Sequence, residues 1–286
     1  MGAISRNLIA AAYRRLAPAG VRNLLASQIL LTARDRPPRR MDRFDDGPVL
    51  VVAPHFDDEI CGCGGVMGRH VAANQPVTVV FVTDGSAGDP DLRGSNGDPD
   101  ALRVARAALS RRREAESRAA CAEYGVTDIR LLGGPDGALA PTEALVNAMC
   151  AVLDESRPAI LYHPSLLDAH SDHWASNLIL ARALKASRAR APEPVLRGYE
   201  VWTPAIPNRF ADITEEMPRK ARAFRHFESQ NRTIDYPRAI GGLNSYRSIC
   251  FQGGRGFSEA FQELTVSEFE RLLAAIMAQS HAGRRS

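Results

Sequence analysis

Lysine is almost missing from this chain: Lys185 and Lys220 are the only two among 36 basic residues. That bias toward arginine points to a GC-rich, bacterial genome and says little about chemistry. An excess of one charge is missing too. The net charge is +3, and no zinc-finger, homeodomain or RRM-like pattern accompanies it, so nucleic acid is not expected as a partner. No uninterrupted apolar run reaches membrane-spanning length, and no clean apolar stretch with a cleavage site suggests a signal peptide; the expected location is the cytoplasm. The five cysteines are an odd number, three of them in apolar runs, which reads as reduced thiols. Cys61 and Cys63 have no second pair to complete a four-ligand set and read as small packing residues. A Gly-x-Ser-x-Gly elbow, a Gly-x-Gly-x-x-Gly turn and a Walker sequence are all absent, which removes the common serine-hydrolase and nucleotide-enzyme readings.

What is present is an ordinary soluble composition, 45% hydrophobic and 24% charged, with length for one large α/β domain plus an elaboration. Residues 1–46 differ from the rest. Apolar positions from Leu8 to Ile29 recur at helical spacing, interrupted by arginines, Pro18 and Gly20. The segment reads as a helical arm packed on the main domain, or as a basic amphipathic stretch in peripheral contact with a membrane, followed by a linker from Pro37 to Asp46. The main domain is expected over 47–286. Strands are expected at Val49–Ala53, Val77–Val82, Asp128–Leu132 and Ala159–Tyr162. They alternate with helices at about 64–73, 102–124 and 142–155, the pattern of a Rossmann-like, mostly parallel sheet with helices on both faces. Residues 85–100, rich in Gly, Asp, Pro and Ser, read as a loop beside the site. Beyond Trp202 the pattern gives a helix at 215–227, an irregular stretch at 231–256 and a final helix at 266–277.

In parallel sheets, sites form beyond the carboxyl ends of the strands. His55, Asp57, Asp58 and Glu59 follow the first strand; Thr83 and Asp84 the second; Pro135 and Asp136 the third; Asp168, His170, Asp172 and His173 the fourth. Three carboxylates crowded after an apolar strand repel one another unless solvated or offset by a cation. His55 and Asp58, three apart in a tight turn, can face one ion, and a helix beginning near Asp172 brings His173 to the same side. Two histidines, one aspartate and an open position match a catalytic zinc site. Asp57, beside a ligand without being one, is then the candidate general base. His170 would stabilise an oxyanion or protonate a leaving nitrogen. Asp168 and Asp172 would stand behind the imidazoles and orient them, and Glu59 would either orient the loop or cap the following helix.

These residues resemble the LmbE-like, PIG-L family of zinc-dependent N-acetylglucosaminyl deacetylases. Pro54-His55-Phe56-Asp57-Asp58-Glu59 with Gly64-Gly65 is similar to the family's first motif, and His170-Ser171-Asp172-His173 to its second. Arg113-x-x-Glu116 and Pro135-Asp136-Gly137 lie between them, and the weaker signatures Ser229-Gln230 and Glu259-Ala260-Phe261 follow. Phe56 and Ser171 stand where the family has proline. The resemblance implies one zinc on His55, Asp58 and His173, Asp57 as base and His170 as its electrostatic partner. It also implies substrate contacts from Arg113 and Asp136, and removal of an N-acetyl group from a small amino-sugar substrate. A zinc amidase acting on a non-sugar conjugate, and a carbohydrate- or metal-binding module without turnover, are the alternatives. The oligomeric state is left open.

Overall fold

In the computed structural model, residues 38–93, 98–187 and 192–283 are described. Pro38–Leu273 forms one compact unit, and the described residues from Ala274 onward belong to another. The expected helical arm and Pro37 lie outside the described residues, and the rest of the expected linker, from Pro38 to Asp46, lies within them.

Among the described residues eight strands make one sheet: β1 (Arg39–Met41), β2 (Val49–Ala53), β3 (Val77–Thr83), β4 (Asp128–Gly134), β5 (Ile160–Pro164), β6 (Val195–Tyr199), β7 (Arg209–Asp212) and β8 (Ser258–Leu264). Their spatial order is β1-β7-β8-β6-β5-β2-β3-β4. Strands β6, β5, β2, β3 and β4 run parallel, and only β8 is antiparallel to its neighbours β6 and β7. The helices are α1 (Asp58–Ala72), α2 (Pro90–Arg93), α3 (Pro99–Ala122), α4 (Glu143–Ser156), α5 (Ser171–Ser187), α6 (Met217–Arg225), α7 (Glu228–Asn231), α8 (Tyr236–Arg247), α9 (Ile249–Gln252) and α10 (Val266–Gly283).

The central strands β2, β3 and β5 are buried at every position and mostly apolar because both faces are covered. Val49, Val51, Ala53, Val79 and Phe81 join a core with Cys61, Met67 and Phe224. The alternate residues Leu50, Val52, Val80 and Val82 are equally buried and by the pleat point to the opposite face. The chain moves outward from β2 through β3 to β4, then returns to place β5 on the other side of β2. That reversal opens a crevice between the loops after β2 and β5, where a parallel sheet holds its ligand.

Three expectations are corrected here. Helix α1 begins at Asp58, six residues before the expected start, despite a glycine-rich sequence of poor intrinsic helicity. Packing overrides propensity: a Cβ on Gly62 would lie 2.2 Å from Tyr199, and one on Gly65 2.3 Å from Ile213. The expected linker is tied into the fold, since its residues Arg39–Met41 form β1 and pair with β7 and the Phe44 carbonyl lies 3.0 Å from His70 Nδ1. The stretch expected to be irregular contains α8, started by Asp235, whose side chain accepts the Arg238 N–H, with Pro in the first turn. All five cysteines are free thiols, as expected. No described helix is long and apolar enough to cross a membrane.

Candidate metal centre

The loop after β2 turns straight into α1, so three acids arrive at a helix N-terminus, where the dipole favours negative charge. Backbone bonds from Ile60 and Cys61 to the Asp57 carbonyl close the turn. The backbone N–H of His55 donates to Asp58 Oδ2 at 2.9 Å. The same oxygen lies 3.2 Å from His55 Nδ1 and 3.2 Å from His173 Nε2. Asp58 Oδ2 therefore sits between two imidazole nitrogens, one from each motif.

The partners behind the rings show what these nitrogens require. His55 Nε2 lies 3.2 Å from Asp172 Oδ2 and 3.4 Å from Asp136 Oδ1. Asp172 also accepts the N–H groups of Gly137 and Leu139 at 2.7 and 3.2 Å. It acts as a carboxylate acceptor, so in neutral His55 the proton belongs on Nε2 and the lone pair of Nδ1 faces the Asp58 oxygen. His173 is buried, with Asp168 Oδ2 3.4 Å from Nδ1, and neither ring nitrogen makes a well-formed hydrogen bond. Lone pairs facing an oxyanion need a proton or a metal ion between them. Spacings of 3.2 Å match the roughly 3.3 Å edge of a tetrahedron with metal–ligand bonds of about 2.0–2.1 Å. The donor set of His55, Asp58 and His173 fits a divalent metal.

Two further groupings bring potential ligand atoms within 4.8 Å of one another: His55, His170 and His173, and His55, Asp136 and Asp172. The second is already engaged, because Asp136 Oδ2 accepts the Ala87 N–H at 2.9 Å and lies 3.3 Å from Arg113. In the first, His170 Nδ1 accepts the Asp172 N–H at 3.2 Å, which leaves the proton of the neutral ring on Nε2. His170 is half-buried, and burial together with His55 and His173 lowers its pKa, favouring the neutral form.

The field of the carboxylates explains the other shifts. Burial opposes charge on His55, yet hydrogen bonds to Asp172 and Asp58 push its pKa up to about 10. His173 rises to about 9 against the same desolvation, chiefly through Asp58. Burial would raise Asp58, but the two histidines outweigh it and hold its carboxyl well below the usual range. Burial pushes Asp57 up to about 7, with Arg113 opposing and the Asp58 charge adding to the rise. Glu59 is fully buried and pushed well above the usual range by desolvation and then by Asp57. It accepts the Asp57 N–H at 3.0 Å and the Ser117 hydroxyl at 3.0 Å, so it orients the loop.

Arg113, expected at the substrate, is buried beneath the loops of the site. It is 3% exposed, and its guanidinium donates to the carbonyls of Gly85 and Phe56 and to Asp57 Oδ2 and Asp136 Oδ2, at 3.0–3.4 Å. It lies beneath the site as counter-ion to Asp57 and Asp136. The Asp136 side chain, 4% exposed, is likewise enclosed, between His55 and Arg113. Sequence spacing carried no signal for this, because the partners come from four separate segments. Phe56 packs on Phe81 with ring centroids 4.6 Å apart, filling the corner beneath the loop. The two weaker signatures form contacts within the fold: Ser229 donates to Glu116 twice, and Glu259 pairs with buried Lys220 at 2.6 Å. Sequence reasoning missed the latter pair.

Residues 50–184 match the family described as PIG-L: GlcNAc-PI de-N-acetylase. A curated relative, the 1D-myo-inositol 2-acetamido-2-deoxy-alpha-D-glucopyranoside deacetylase of Streptomyces avermitilis, is 33% identical over 178 residues, covering 54% of this chain and 58% of the relative. The chain thus spans little more than half that relative's length. Among solved structures, the 4-carboxy-2-hydroxymuconate hydratase of Pseudomonas putida superposes with a TM-score of 0.66 at 18% identity, over 76% of this chain and 96% of that one. The N,N'-diacetylchitobiose deacetylase of Pyrococcus horikoshii gives 0.63 at 19%, over 76% and 84%. These two share the fold, and a fold that also carries a hydratase does not by itself choose the reaction.

Proposed function

We propose that this chain, a member of the PIG-L (LmbE-like) family through residues 50–184, is a zinc-dependent hydrolase that removes an N-acetyl group from an amino sugar or sugar conjugate. The observation that carries the reading is Asp57. It neighbours the ligand-like Asp58 yet faces Arg113 at 3.3 Å, and burial lifts its pKa to about 7, where a general base works best at neutral pH.

His55, Asp58 and His173 would hold the zinc, which when bound supplies Lewis acidity to the site. Asp57 accepts the proton of the attacking water, and Arg113 fixes the direction of its carboxylate. His170, its Nδ1 occupied by the Asp172 N–H, carries its proton on Nε2 and donates to the oxyanion or the departing nitrogen. Water adds to the acyl carbon, the C–N bond breaks, the nitrogen takes up a proton, and acetate and free amine result. Asp168 and Asp172 keep the histidine rings in register. The Streptomyces relative, named for an acetamido sugar, supports an N-acetyl sugar as the substrate class.

The test is acetate release from a panel of N-acetyl sugars and of non-sugar N-acetyl conjugates, with Asp57→Asn as control. Turnover of the sugars that Asp57→Asn abolishes is expected. Turnover confined to non-sugar amides would replace the substrate class, and zinc binding without turnover of any amide would make the chain a binding module.

A further inference from the structure

The chain has two tryptophans, Trp174 and Trp202. Trp202 is 49% exposed, an unfavourable position for so large an apolar ring unless something else covers it. It is not on a loose loop. Glu200 accepts the Ala205 N–H at 2.6 Å and accepts from Nε and Nη2 of Arg247, whose Nη2 also donates to the Ala205 carbonyl at 2.9 Å. This closes residues 200–205 into a pinned turn. The turn is fastened to the second motif as well: the Trp202 N–H donates to Asp168 Oδ2 at 3.2 Å, and the Ala169 N–H to the Thr203 hydroxyl at 3.1 Å. The indole stacks on His170, with centroids 6.0 Å apart and planes inclined by 29°. His170 in turn lies 4.8 Å from the His55 ring and 5.0 Å from that of His173. Tyr199, close in sequence, is fully buried with its hydroxyl on the Val52 carbonyl, and so offers no such surface.

We propose that Trp202 is the stacking platform of a sugar subsite at the mouth of the centre, receiving the apolar C–H face of a pyranose ring and directing its N-acyl substituent toward His170. The inference rests on the deacetylase reading and names the surface that would recognise the sugar. Rigid display suits such a platform, because an aromatic ring fixed before binding loses little entropy on contact, and a pyranose face offers C–H groups where an acyclic amide offers none in fixed array. Trp202 is then a specificity-determining residue with no part in the proton transfers.

The experiment uses the zinc-loaded full chain. In a Trp174→Phe, Asp57→Asn background Trp202 is the sole indole and turnover is blocked, so its emission reports occupancy. Titration with N-acetylglucosamine should give a saturable change that N-acetylethanolamine does not. In the otherwise wild-type enzyme, Trp202→Ala should raise KM for the N-acetyl sugar about tenfold with kcat altered less than about threefold, and Trp202→Phe should retain most of the affinity. Unchanged KM in Trp202→Ala, or saturable sugar binding that leaves the emission untouched, would overturn the proposal. Failure of the wild type to hydrolyse any sugar amide would instead overturn the deacetylase reading, with the emission titration still deciding whether a sugar sits on Trp202.

Discussion

Helix α1 carries buried charge at two places, and the two are built differently. In its second turn Lys220 reaches in from α6 and directs its three protons to the Cys61 carbonyl at 2.9 Å, Asn244 Oδ1 at 3.0 Å and Glu259 Oε1 at 2.6 Å. Glu259 also accepts the N–H groups of Gly65 and Val66 at 2.8 and 2.9 Å. Each donor there meets an acceptor, and the cluster closes on itself. At the N-terminus of the same helix the pairing does not close: Asp57, Asp58, Asp136, Asp168 and Asp172 converge on three histidines and one guanidinium, and both His173 nitrogens lack a proper hydrogen bond. A closed buried network is structural glue. An open one calls for an ion, and here the spacing of its atoms suits a metal.

The contrast is broken most severely by removing a proposed ligand. His173→Ala or Asp58→Ala should abolish zinc retention and reduce acetate release by at least about a thousandfold; elemental analysis beside a turnover assay checks both. Asp57→Asn should keep the zinc and lose about 10²–10⁴ of kcat, separating the base from the ligands. Lys220→Met should act on folding, lowering stability by about 3–5 kcal/mol in denaturant titration, because it leaves Glu259 charged, buried and unpaired. The zinc of whatever protein folds should remain. Affinity for zinc should rise with pH between 7 and 9. His55 and His173, with pKa values pushed up to about 10 and about 9, hold protons at neutral pH that the metal must displace. Calorimetry in buffers of differing ionisation enthalpy measures that release. The smallest effect is expected of Glu59→Gln, less than about 1 kcal/mol, since burial already favours the protonated acid and the amide keeps an acceptor for the Asp57 N–H.

The same contrast separates what was legible in the sequence from what was not. Strands β2, β3 and β5 announce themselves because burial on both faces demands largely apolar runs. Strands β6 and β8 do not, because Arg197 and Glu263 are paired across the sheet at 3.0 Å and Glu259 belongs to the Lys220 cluster, so polar residues occupy sheet positions. Helix α8 was obscured by Gly241 and Gly242, although the Asp235 cap and Pro237 were a usable start signal. The candidate cluster was readable because histidine and aspartate crowd two short motifs at one sheet edge. The enclosure of Arg113 and Asp136 was not, since it depends on segments far away in the chain. Lys220 sits in no motif; one of two lysines in an arginine-rich chain, it has the compact ammonium that fits three acceptors in a small space.

The most direct measurement is zinc stoichiometry on the purified, chelator-stripped chain, titrated back with zinc and compared with Asp58→Ala and Lys220→Met. One zinc per chain, lost in Asp58→Ala and kept in folded Lys220→Met, is the predicted result. A wild-type chain that folds yet takes up no zinc, or a zinc that survives removal of Asp58, would contradict a metal held between the two motifs.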